Sequence, residues 1–202
     1  MLTTLLALTF FASPADDYFV LVPGTRRTYE ERGASGKATS VDEVGEPVNV
    51  AGKPATPVIT KSGDQVISTT YYRSEPTGIY MVGTSTDHPL PKPIPMLMFD
   101  VAGSRWTFNG STSDAKLADY LTLTCEAVSK GERTILGRKV PVIELKMVSI
   151  IDRGLARGRE DTTAIYAKGI GLVESVSKHK ERNKEVKDEL RLIKFEEAKP
   201  RD

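Results

Sequence analysis

"VPVIELKMVSII", Val140 to Ile151, decides the fold class. Ile143, Leu145, Met147 and Ile151 fall on one side of an alternation that puts Glu144 and Lys146 on the other. That period of two predicts a strand with a dry face and a wet face. Outward along the chain the same pattern returns in "YLTLTCEAV", Tyr120 to Val128, and in "QVISTTYY", Gln65 to Tyr72. In the first of these, Leu121, Leu123, Cys125 and Ala127 share a face. Turn signals separate the runs: Gly33, Gly36, Gly45, "AGKP" at 51–54, "SGD" at 62–64, "EPTG" at 75–78 and "KGER" at 130–133. Regular short strands of this kind predict an all-β, mainly antiparallel fold: a curved sheet or half-open barrel with at most one or two short helices. The helix candidate is Ser111 to Leu121, capped by Ser113 or Asp114. The segment 185–196 fits helix or strand spacing. Strand is the reading taken, because "ERNK" can turn a hairpin out of "LVESVSKHK".

The 202 residues suffice for one large β domain or two small ones, with a real core. A formal net charge of +1 gives no whole-chain field for nucleic acid or an anionic membrane. The start, "MLTTLLALTFFASPA", has an uncharged apolar run, Leu2 to Ala12, too short to span a bilayer, and then Ser13-Pro14-Ala15. This is the pattern of a signal peptide, 1–15, with cleavage before Asp16. The mature chain is therefore expected in the periplasm or outside the cell, soluble and without a transmembrane anchor. No Cys follows that point closely, so no lipid anchor is expected there. Residues 16–202 then form a single β domain. Its one cysteine, Cys125, lies on an apolar strand face and reads as a core residue, not a reactive thiol.

The chain carries matched stretches. "VPGTRRTYE" (Val22 to Glu30) pairs with "VAGSRWTFN" (Val101 to Asn109), "AGKPATPVI" (from Ala51) with "LGRKVPVI" (from Leu136), and "GIYMVG" (from Gly78) with "AIYAKG" (from Ala164). The constant order predicts a duplication with halves at 16–86 and 97–196. Between them lies "DHPLPKPIPM", Asp87 to Met96, whose alternating prolines enforce extended backbone and read as a connector, 87–96. Gly24 and Gly103 are expected in turns, and Tyr29, Phe108 and Trp106 in packing. Arg26 and Arg105 keep a claim to function, because both copies hold them.

"GSRWTFNG" and "YAKGIGLVESV" resemble the G-x-x-W-x-Y and Y-A-x-G-[VI]-G-L-V elements of uncharacterised exported bacterial β proteins. "DYFVLVPGTRRTYE" resembles the opening element of that family, with Arg27 where Trp is usual. The resemblance implies an architecture similar to the half-barrels of periplasmic lipoproteins and lipid carriers. It implies no activity.

Chemistry-bearing motifs are sparse. "GASGK" fails the phosphate-loop spacing, and there is no nucleophile elbow and no metal-ligand spacing. No cofactor, metal or catalytic residue is expected, and the chain reads as no enzyme. The richest polar stretch is "IDRGLARGRED", where Arg153, Arg157 and Arg159 could hold an anion or lipid headgroup. Against that stands a charged hairpin tip, the preferred reading. Candidate ligand-binding residues are thus Arg153, Arg157, Arg159, Arg26 and Arg105. Two functions stay open: binding of an apolar or lipid-like molecule in a concave sheet, or a cell-envelope structural or protein-interaction module without a small ligand. Nucleic acid is not an expected partner.

Overall fold

The computed structural model describes residues 14–34, 36–98, 103–112, 119–153, 157–181 and 184–198. One short helix, α1 (Pro14–Tyr18), precedes β1 (Arg26–Gly33), β2 (Gly36–Val44), β3 (Val48–Val50), β4 (Lys53–Ser62), β5 (Gln65–Glu75), β6 (Gly78–Gly83) and β7 (Pro89–Met98). Then follow β8 (Arg105–Ser111), β9 (Tyr120–Ile135), β10 (Arg138–Asp152), β11 (Arg157–Ala167), β12 (Gly171–Glu181) and β13 (Lys184–Glu196). The strands pair antiparallel in the order β7-β6-β5-β4-β2-β1-β13-β12-β11-β10-β9-β8, with β3 paired only to β4. The chain is all-β and antiparallel, as the alternation predicted, and its twelve-strand path curls into a nearly closed barrel. The signal-peptide reading, 1–15, falls on residues 1–13, outside the described residues, and on Pro14 and Ala15, which open α1; most of the helix expected at 111–121 falls on 113–118, also outside them. Segment 185–196 is strand, paired to β1 and β12.

The two edge strands meet without a described backbone ladder, and proline chemistry explains why. The segment read as a connector carries β7, with Pro89, Pro91, Pro93 and Pro95 alternating along it. A strand residue sends its N–H and C=O to the same side. The Pro95 carbonyl faces β8, where it accepts from Trp106 Nε1 at 3.1 Å. The edge facing β8 therefore lacks the proline N–H donors that a ladder needs. Side chains bridge the seam instead. Lys92 Nζ donates to the Asn109 carbonyl at 3.3 Å and lies 5.0 Å from the centre of the Phe108 ring.

Inside the barrel, Ile79, Leu97, Phe108, Leu123, Cys125, Ala127, Ile143, Leu145, Ala164 and Tyr166 form the main core. A second cluster joins Tyr29, Val142, Ile165, Ala167, Val173 and Leu192, with Ile135 and Val140 against it. Val142 is therefore buried although the alternation put it on a wet face. The β9–β10 hairpin is irregular between Pro141 and Ile143, and its outer half brings Ile135, Val140 and Val142 to residues of β11, β12 and β13. Helix α1 and the residues after it lie between the two sides of the barrel. Ala15 is fully buried, Gly169 N donates to Asp17 O at 2.7 Å, and Ser74 Oγ donates to Asp16 at 2.6 Å.

Two of the three matched stretches share local geometry. Gly24 and Gly103 have φ of 87° and 79°. Gly24 N donates to Val44 O (2.8 Å) and Val44 N to Thr25 O (2.9 Å); Gly103 N donates to Ala127 O (2.7 Å) and Ala127 N to Ser104 O (2.9 Å). Ala51-Gly52 and Leu136-Gly137 both form two-residue hairpin turns with positive φ at each central position. The third match does not correspond: "GIYMVG" is β6, second from one end of its half of the sheet, whereas Ala164 to Ala167 end β11, third from the corresponding end.

Candidate functional site

The fold brings Arg153, Arg157 and Arg159 together. They line an open groove of about 310 Å³ with Ser149, Ile151, Glu160, His179 and Lys180. The cause is register: the β10–β11 hairpin opposes Ile150 to Arg159 and Asp152 to Arg157, and β12 lays His179 beside Glu160. Two of the three arginines are neutralised locally. Arg153 Nε bonds Asp119 Oδ2 at 3.0 Å, and Arg159 grips Asp161 through Nε (3.0 Å) and Nη2 (2.7 Å). That fork raises the pKa of Arg159 and lowers that of Asp161. Arg157 forms no ion pair with a described residue.

Arg26 and Arg105 stand apart from this groove, as the first residues of β1 and β8. Each faces a glutamate across its hairpin: Arg26 opposite Glu43, Arg105 opposite Glu126. Arg105 Nη2 lies 3.0 Å from Glu126 Oε1. Glu43 is held below the ordinary carboxylate range, first by the Lys61 hydrogen bond and in lesser part by Arg26. Exposed cross-strand pairing accounts for both arginines.

A second site was missed in the sequence. Arg27 occupies the position that Trp106 holds in the matched stretch. Its residue is 5% exposed, inside the barrel. Nε donates to Ile170 O at 2.6 Å and Nη2 to Val20 O at 2.5 Å. Around it lies a pocket of about 100 Å³ lined by Phe19, Val20, Tyr29, Asp42, Tyr72 and Tyr166, among others. Phe19 sits over Tyr72 and Tyr166, with centroids 4.8 and 5.8 Å away. Burial pushes the Tyr72 hydroxyl up to about 12 and those of Tyr29 and Tyr166 further. Asp42, directly opposite Arg27 on β2, is also raised by burial, against the hydrogen bond from Thr60 (2.7 Å). The signal that could have found this site is an arginine on the same strand face as Tyr29, in place of an expected tryptophan.

Other reactive groups are quiet or remote. Cys125 is 1% exposed, and burial raises its thiol to about 12. His88 is exposed. His179 Nδ1 is 3.6 Å from Asp188 Oδ2, and the nearby Ser177 hydroxyl is shared with Thr162 at 2.8 Å.

No family model matches the sequence, and no curated protein matches it significantly. Two solved structures share the fold. A putative lipoprotein from Parabacteroides distasonis aligns with a TM-score of 0.53 at 10% identity, over 92% of this chain and all of that one. A putative exported protein with a YmcC-like fold from Bacteroides fragilis aligns with a TM-score of 0.53 at 13% identity, over 93% of this chain and all of that one. At such identities the likeness is one of fold alone.

Proposed function

We propose that the chain is an exported, non-enzymatic β-barrel, grown by duplication of a six-strand meander, that works in the cell envelope by engaging a partner on its surface. The filled interior carries this reading. Trp106, Phe108, Tyr166, Leu145, Leu97 and Ile79 pack where a carrier would hold an acyl chain. The pocket beside Arg27 holds about 100 Å³, whereas small-molecule sites take roughly 300–1,000 Å³. The outside offers the cationic groove, in which Arg157, without an ion pair to any described residue, can meet an anionic group. Export is supported by the N-terminal pattern and by the names of the two proteins of like fold. Duplication is supported by the paired glycine and turn geometries and by a strand order that runs the same way in both halves. A non-catalytic role is supported by the buried Cys125 and the engaged Ser177 hydroxyl.

The test has two arms. Native mass spectrometry of protein purified in mild detergent should show the chain with no lipid; a stoichiometric lipid adduct would overturn the surface reading. A photo-crosslinking residue at position 180, which lines the groove, should in cells give discrete adducts that vanish when Arg153, Arg157 and Arg159 become Glu. Adducts unchanged by those substitutions would remove the groove from the proposal.

A further inference from the structure

The Arg27 pocket holds a charge and hydrogen-bond donors that the surface reading leaves unused. A guanidinium stays protonated at any accessible pH, so it cannot shed its charge on burial. A buried cation without a close counter-charge is costly. Arg27 has no carboxylate of a described residue within ion-pair distance; its close contacts are the neutral carbonyls of Ile170 and Val20. Asp42 lines the same pocket and feels the guanidinium's charge at longer range, while its carboxyl group accepts a hydrogen bond from Thr60 Oγ1. Donors remain as well. Arg27 Nη1 donates to no described residue. The Tyr166 hydroxyl bonds no described residue either, on a side chain 7% exposed that lines the pocket. Gly171 shapes the space: a Cβ there would stand 2.8 Å from Arg27 Nε.

We propose that this pocket binds a small carboxylate anion of formate or acetate size, accepted by the Arg27 guanidinium and the Tyr166 hydroxyl. A planar carboxylate suits the guanidinium edge. About 100 Å³ is roughly three water volumes at ~30 Å³ each, enough for such an anion and too little for an acyl chain. The clustered rings of Phe19, Tyr72 and Tyr166 give the pocket apolar walls, and a lower local dielectric strengthens charge-assisted bonds. The site is independent of the surface groove, so either can fail alone.

The experiment follows the thermal midpoint of the full mature chain during titration with sodium acetate at constant ionic strength, with sodium chloride as the balancing salt. A saturable rise is expected. Tyr166→Phe keeps the ring packing and should weaken acetate binding by roughly tenfold, the loss of one hydrogen bond to a charged group. Asp42→Asn removes the competing negative charge and should tighten it. Arg27→Gln should abolish the effect in protein that keeps its β circular dichroism. A wild type with no acetate-dependent shift overturns the site. So does an equal shift in Tyr166→Phe, or an Asp42→Asn variant that binds no better. If Arg27→Gln fails to fold, the other two variants still decide.

Discussion

Single residues divide by what alternation can reveal. Tyr29 and Phe108 are 1% and 2% exposed, and Cys125 lies with them in the interior, as a period of two along their strands implies. Cys125 supports a direct check. Its thiol is pushed up to about 12 by burial, so almost no thiolate exists at pH 8 in the folded state. A disulfide reagent should leave the native protein unlabelled for hours and modify one thiol promptly once denaturant unfolds it. Rapid native labelling would show that the strand face opens. Arg27 was not legible in this way. Alternation places it beside Tyr29 on the inner face, but sequence gives no means to see that Ile170, across the fold and distant in the chain, offers the carbonyl that holds it. Arg26 and Arg105 show the reverse. Their recurrence in both copies carried a claim to function, and only the register shows that a glutamate stands opposite each.

At the scale of elements, turns and edges carry the information. Leu136 adopts φ of 48° in a two-residue turn and is 47% exposed, so it bears left-handed strain with little packing in return. Leu136→Gly should raise stability by about 0.5–1 kcal/mol, read as a higher urea midpoint with unchanged slope. A lower midpoint would mean that the leucine packs in solution. The proline-rich segment was legible as extended backbone, because fixed φ and the pre-proline restriction are local. Its place as the edge strand β7 was not, since pairing with β6 is a long-range choice. Val142 failed for a similar reason. A strand's wet face is wet only if nothing folds over it, and the outer half of the β9–β10 hairpin contributes to a second cluster.

The whole molecule closes around a core in which three tyrosines must stay neutral. Folded Tyr72 titrates near 12, and Tyr29 and Tyr166 are raised further, against about 10 in an unfolded chain. The folded state therefore holds more protons above pH 10. Stability is fully present below that pH and falls as pH rises, by up to about 1.4 kcal/mol per pH unit for each buried tyrosine. Absorbance at 295 nm should show these tyrosines ionising together with the loss of β circular dichroism. Titration of all seven tyrosines near pH 10 with the fold intact would contradict the burial of these three. Closure also bears on function, since side chains fill the space that an open half-barrel of lipid-carrier type would have left free.

Sequence by itself determined the strand class, the inner faces and the local turns, because alternation, proline and positive-φ preferences act over a few residues. Tertiary structure alone decided the rest. Pairing of β1 with β13 joins the two ends of the chain, and the proline-stripped edge of β7 leaves the seam to side chains. That same closure gathers Arg27, Asp42, Tyr72 and Tyr166, from strands far apart in sequence, around one pocket. Such a site depends on which carbonyls and carboxylates arrive within reach, and that is settled only when the sheet curls back on itself.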